Sequence, residues 1–260
     1  MAAADDFFIG WLGRLPRGSA VPLGFAAGLF VAVMAGLAFS LSASTDDPGD
    51  GGFDWAAGPQ TMLGVVVARP YPVLRLLPSA THPDGHAVML AGWGKVGAQT
   101  PAEPLDGRNA VATGFLLKRG DLDMLQLDRL AAAATQAGTA GVATSAAASA
   151  PPAAVPLGRW RLTGEICDGK CTAGAMRPGT GLAHKACANL CLIGGLPPVF
   201  VTTSPVAGES FLMMGDADGG PLPGARMRDL TGLLVTLEGD VERIDDLLVF
   251  RTDIGKAEVR

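Results

Sequence analysis

A chain of 260 residues is long enough for one or two modest folded domains. It is 48% hydrophobic but only 6% aromatic, so its core must be built chiefly from Leu, Val, Ala and Met. Its 36 glycines and 19 prolines favour turns and short strands over long helices, and a formal charge of −5 without a basic stripe argues against nucleic acid as a partner.

Residues 1–18 read as a cytoplasmic or interfacial segment. Within it DFFIGWLGRL sets Phe7, Phe8, Trp11 and Leu12 on one face of a short helix. Residues 19–44 carry no charge, and the apolar core from Val21 to Leu41 is about 21 residues long, which suffices to cross a bilayer. Pro22 falls at the start of this core, where a helix tolerates it. Arg14 and Arg17 precede the span; Asp46, Asp47 and Asp50 follow it. The positive-inside rule therefore predicts a cytoplasmic N-terminus and a single-pass protein whose main domain lies outside. The competing reading is a cleaved signal peptide, with SLSAS as the processing site, although its apolar region is usually only 7–15 residues.

Residues 45–60 form a polar, glycine-rich tether, 61–129 a first β unit, 130–156 a low-complexity spacer, and 157–260 a second β unit. Two strings suggest that the units are related: GFLLKRGDLDMLQLD from Gly114 and GDVERIDDLLVFRTD from Gly239. They align Lys118 with Arg243, Asp121 with Asp246, Met124-Leu125 with Val249-Phe250, and Asp128 with Asp253. Each reads as a strand, a charged turn and a second strand, the pattern of a β-hairpin. VMLAGWG and RLTGEIC have a similar cast, and Gly92, Gly114, Gly164 and Gly239 all lie in or beside strand-like runs, as glycines at bulges and barrel corners do. The expected fold is mainly β: one N-terminal transmembrane helix, then one or two small barrel-like antiparallel units with a short Cys/His-bearing helix.

All four cysteines fall in CDGKCTAGAMRPGTGLAHKACANLC. If Cys187–Cys191 is helical, the two thiols share one face, His184 stands nearly a turn earlier, and Cys171 or Cys167 is the remaining ligand of a tetrahedral site. Zinc fits such spacing, and reduced copper suits soft sulfur ligands. Motifs for haem attachment, ferredoxin-type clusters and thioredoxin-like chemistry are absent. In an oxidising compartment the even cysteine count points equally to disulfides, and cross-pairing the two clusters would clamp the glycine-rich loop between them. Both readings stand at this level. Gly194 to Pro198 fits a tight turn that releases VFVTT as a strand. His82 and His86, with Asp84 between them, read first as turn residues and second as ligands. No nucleophile elbow or zinc-protease motif is present, so no residue is assigned a catalytic role.

The string GEICDGKCTAGAMRPGTGLAHKACANLCLIGGLPPVFV resembles an element of uncharacterised, membrane-anchored bacterial proteins encoded with redox or respiratory components. The match runs through Glu165, Asp168, Lys170, Cys171, Gly174, Met176, Pro178, Gly179, His184, Cys187, Ala188, Cys191, Gly194, Gly195, Pro197 and Pro198. Cys167 falls where that pattern is more often apolar, so the resemblance favours Cys171, His184, Cys187 and Cys191 as the metal set, with Cys167 as an extra ligand or disulfide partner. It implies an inner-membrane protein with a periplasmic domain, an accessory or assembly subunit among integral membrane redox proteins, with the lipid bilayer as its other partner. The alternative it leaves is a small metalloprotein holding one zinc or copper ion that carries electrons or delivers metal.

Overall fold

The computed structural model describes residues 17–44, 49–80, 82–133 and 153–260. The interfacial string Asp6–Leu15 and most of the spacer lie outside them. The chain divides into two units, residues 1–47 and 48–260. The first contains helix α1 (Arg17–Ser44), whose Gly18–Ser40 stretch has a mean hydropathy of 2.1 and is long and apolar enough to cross a membrane.

In the second unit, β1 (Gly52–Phe53), inside the stretch read as tether, pairs antiparallel with Leu117 and Lys118. The strands β2 (Gln60–Val67), β3 (Val73–Leu76), β4 (His86–Ala91), β5 (Asn109–Arg119) and β6 (Leu122–Ala132) close into a five-stranded barrel. Antiparallel pairs join β2 to β3, β3 to β4, β5 to β6 and β5 to β2, and the one parallel pair, β4 with β6, completes the ring. A short helix α2 (Gln99–Ala102) lies between β4 and β5.

The second half repeats this arrangement. Strands β7 (Val155–Asp168), β8 (Pro198–Val206), β9 (Glu209–Asp216), β10 (Leu234–Ile244) and β11 (Leu247–Thr252) pair in the same order, again with one parallel contact, β9 with β11. Between β9 and β10 lies α4 (Gly224–Leu230), and β12 (Glu258–Val259) borders β10. Two barrels of this connectivity, each with a helix between its third and fourth strands, are a tandem pair of OB-type Greek-key barrels.

The repeat extends to single residues. In the β5–β6 hairpin Leu117 faces Met124 and Lys118 faces Asp123; in the β10–β11 hairpin Glu242 faces Val249 and Arg243 faces Leu248. A Cβ on Gly114 would lie 2.0 Å from the Gln126 carbonyl oxygen, and one on Gly239 2.2 Å from that of Arg251. Strands cross too closely at these points for any side chain. Gly164 of β7 has its counterpart in Gly64 of β2: added Cβ atoms would meet the carbonyl oxygens of Val201 and Arg75 at 2.3 and 2.4 Å. Gly92, grouped with these by sequence, instead follows β4 and serves a loop turn.

Alternation along the strands sends neighbouring side chains to different cores. Val66, Leu74, Val88, Leu90 and Leu125 fill the first barrel; Ile166, Phe200, Leu212, Met214 and Phe250 fill the second. A third core forms where the barrels meet, from Val73, Met89, Leu122 and Met124 on one side and Val199, Met213, Leu247 and Val249 on the other. These contributions correspond strand by strand, so the barrels meet about a local pseudo-twofold. Polar contacts obey it as well: Asp246 in the β10–β11 turn accepts the Ala87 amide at 2.8 Å, and Asp121 in the β5–β6 turn accepts the Phe211 amide at 3.2 Å. One side carries additions. Arg75 grips Asp245 through two hydrogen bonds of 2.8 and 2.6 Å, and His86 lies between Asp123 (3.1 Å) and Asp246 (2.5 Å). Burial opposes charge on His86, but the two carboxylates outweigh it and raise its pKa to about 9.

Candidate metal centre

The pseudo-twofold fails most plainly between the first two strands of each barrel. In the first barrel Ala68–Pro72 makes this link; in the second it is the whole of Gly169–Pro197, including the histidine and three of the cysteines. The insertion folds as a wide turn at Cys171–Ala175 followed by α3 (Lys185–Ile193).

Asp168, fully buried at the end of β7, organises it. One carboxylate oxygen accepts the Cys171 amide at 2.9 Å and fixes the turn; the other meets His184 Nε2 at 3.1 Å. His184 stands at the N-terminal cap of α3, its carbonyl accepting the Ala188 amide, and its side chain is only 2% exposed. Helical spacing then puts Cys187 and Cys191 on one face. The helix ends at Gly194, where a Cβ would lie 1.7 Å from the carbonyl oxygen of Lys95 in the first barrel. That closeness requires glycine. Around it the Gly97 amide bonds Gly194 O at 2.8 Å and the Gln99 side chain bonds Gly195 O at 2.6 Å.

Cys171, Cys187 and Cys191 converge, their sulfur atoms all within 4.8 Å of one another. Cys171 and Cys191 are buried and Cys187 is half-buried. Lys95 Nζ donates to Cys187 Sγ at 2.7 Å and approaches Cys191 Sγ at 3.5 Å. Lys170, buried beside Cys171, donates in the other direction to the carbonyls of Gly92 and Gly94 at 2.7 and 2.9 Å, fixing the loop that carries Lys95. Each barrel thus sends one lysine to the other.

Electrostatics follow from this packing. The bond with Cys187 raises the pKa of Lys95 against the cost of its burial. The hydrogen bond from the Cys171 thiol lowers the pKa of Cys191, with Lys95 assisting, against its burial; the same bond, with burial, raises that of Cys171. Burial also lowers the pKa of Lys170. The triad is thus three sulfur atoms packed beside the Lys95 ammonium. A cavity of about 200 Å³ opens beside Cys171, with Arg119, Met176 and Arg177 in its wall.

Of the five residues singled out from sequence, three form the triad. His184 instead belongs with Asp168 and Cys171, a second group that shares Cys171 with the first. Cys167 stands apart; its thiol donates to Glu165 Oε1 at 2.9 Å, and burial with that carboxylate drives its pKa well up. No disulfide joins the two clusters: all four cysteines are free thiols. Sequence reasoning missed Lys95, whose one signal is a basic residue amid the glycines of GWGKVG, and took Lys170 only as part of a resemblance. His82 and His86 lie in a separate group with Asp246.

No protein-family model, no curated protein and no solved structure matches the chain.

The donor set suits a thiophilic ion. Zinc–sulfur bonds of about 2.3 Å require sulfur atoms roughly 3.8 Å apart in a tetrahedron, a separation inside the 4.8 Å that bounds this triad. Three thiolates also suit trigonal monovalent copper, and the Lys95 ammonium offsets the negative charge that either complex would carry.

Proposed function

We propose that this protein is a single-span, membrane-anchored metalloprotein whose double barrel holds one zinc or reduced copper ion on Cys171, Cys187 and Cys191. The supporting observation is the convergence of three thiols from one barrel on a lysine from the other. An odd number of thiols in mutual contact suits ligation better than a disulfide clamp, which would leave one unpaired. Arg14 and Arg17 before the span support a cytoplasmic N-terminus, with the barrels in the periplasm of a bacterium. There the protein serves as an accessory or assembly component beside membrane redox proteins, the setting its Cys/His element implies.

The test is elemental analysis of the full chain, extracted in detergent without chelator. One metal ion per chain is expected, lost in Cys187→Ser and Cys191→Ser and kept in Cys167→Ser. A metal-free protein that also fails to take up zinc or monovalent copper in reducing buffer overturns the reading. A reporter fused after Arg260 and found in the cytosol overturns the orientation.

A further inference from the structure

Two histidines with no place in the thiol centre meet at the seam between the barrels. The link between β3 and β4 is tightly shaped: the Ser79 amide bonds His82 O at 2.9 Å, the His82 amide bonds Ser79 Oγ at 3.1 Å, and the Gly85 amide bonds His82 O at 3.1 Å. The turn presents the His82 ring parallel to that of His86, with centroids 4.2 Å apart. From the other barrel, Asp246 brings one carboxylate oxygen to His86 Nδ1 at 2.5 Å while its second is held by the Ala87 amide. Ligand atoms of His82, His86 and Asp246 all fall within 4.8 Å of one another.

Behind them His86 Nε2 meets Asp123 at 3.1 Å, and Lys118 holds the same Asp123 oxygen at 3.3 Å. The other oxygen of Asp123 is buried and has no hydrogen-bond partner among the described residues. A carboxylate on the far nitrogen of a histidine is the usual means of fixing the tautomer and direction of a metal-binding imidazole.

The pseudo-twofold supplies an internal control. Asp121 does for Phe211 what Asp246 does for Ala87, yet Ser210 stands where His86 would be and Leu248 where Asp123 would be. Docking one barrel's turn onto the other's third strand therefore needs neither imidazole nor the second carboxylate. Their presence on one side alone calls for a further role.

We infer that His82, His86 and Asp246 form a second metal site, for a borderline divalent cation such as zinc or divalent copper, with Asp123 orienting His86 from behind. Two nitrogens and one oxygen leave an open position for water and select against the soft ion that suits the thiols. The ion replaces the proton shared by His86 and Asp246 and clasps the first barrel to the hairpin of the second. This site stands independently of the thiol centre.

Cobalt(II) titration of the metal-free full chain in detergent reads both sites at once, because thiolate ligation gives an intense near-ultraviolet band and nitrogen–oxygen ligation only weak visible ones. Two equivalents are expected in the unaltered protein. His82→Gln, which leaves the His86–Asp246 contact in place, and His86→Gln should each weaken the second equivalent by about 100-fold while the thiolate band persists. Cys187→Ser should abolish that band and leave the second equivalent unchanged. A single equivalent in the unaltered chain that carries the thiolate band, or two equivalents bound with undiminished affinity in folded His82→Gln protein, overturns the inference. A missing thiolate band alongside a retained, His82-dependent equivalent would instead refute the thiol centre.

Discussion

The two barrels share strand order, crossing glycines and hairpin register, yet they differ in what fills them and in how their first two strands are linked. The first is filled by small and aliphatic side chains and links its first two strands with Ala68–Pro72. The second packs aromatic rings inside, with the Phe200 and Phe250 centroids 5.5 Å apart, and carries the whole Cys/His insertion at the corresponding point. The scaffold is duplicated, while the thiol-bearing insertion belongs to one barrel alone. A long link between strands adds a site without altering the barrel, because loop-closure cost grows slowly with length. OB-type barrels commonly bind ligands on the face of their second and third strands. Here that face of each barrel carries Val73 and Met89, or Val199 and Met213, into the shared core. The thiols, the lysines and the histidine pair lie along the seam where the barrels meet.

Substitutions at matched positions of the two barrels test how far the likeness goes. The largest effect is expected at the paired crossing glycines. Gly114→Val and Gly239→Val each drive a side chain into a backbone carbonyl, and each should cost about 4 kcal/mol or more in urea denaturation. If only one of the two is destabilising, the barrels are less alike than their registers indicate. Next comes the asymmetric latch. Arg75 and Asp245 are nearly buried, so Arg75→Ala strands a carboxylate and should cost about 3–5 kcal/mol. Truncation to alanine at Val201, its counterpart in the second barrel, should cost about 1 kcal/mol.

A smaller effect is expected of Lys95→Met, which keeps the bulk but removes the cation from the thiols. Thermal unfolding should change little, while the affinity of the triad for zinc or monovalent copper falls about 10–100-fold, as for lost supporting contacts at metal sites. Unchanged affinity would mean that the first barrel merely covers the site. The least effect concerns Glu209, whose pKa is raised to about 7 by burial and by Asp121. A raised folded-state pKa means that the native protein holds the proton more tightly. The resulting stabilisation is complete below about pH 4.5 and is lost as pH rises through about 7. Glu209→Gln should flatten that part of the stability–pH curve, and a curve of unchanged slope would show that the carboxylate is not coupled to the seam.

Much of this arrangement was legible in advance. Helix α1 announces itself by length and lack of charge, and the hairpins by glycine, charged turn and apolar doublet repeated in the same order. The clustering of cysteines and the helix bearing Cys187 and Cys191 were equally plain, because helical spacing is a local property. Less was visible wherever partners are remote. Gly164 has its true counterpart in Gly64, a glycine hidden in an ordinary apolar run, and VMLAGWG and RLTGEIC, similar to the eye, occupy different strands of their barrels.

By itself the sequence determined an apolar helix, a set of short strands, two related hairpins and the thiols of one short helix, all of which follow from periodicity and spacing within a few turns of chain. Only the tertiary structure decided that Lys95 would meet Cys187, that Cys167 would turn away to Glu165, that His184 would serve Asp168, and that His82 and His86 would meet Asp246. Two of these contacts, Lys95 with Cys187 and the histidine pair with Asp246, join residues across the two barrels. They exist because burying the third core brings the barrels together along one seam, and no local pattern encodes which side chains will face each other across it.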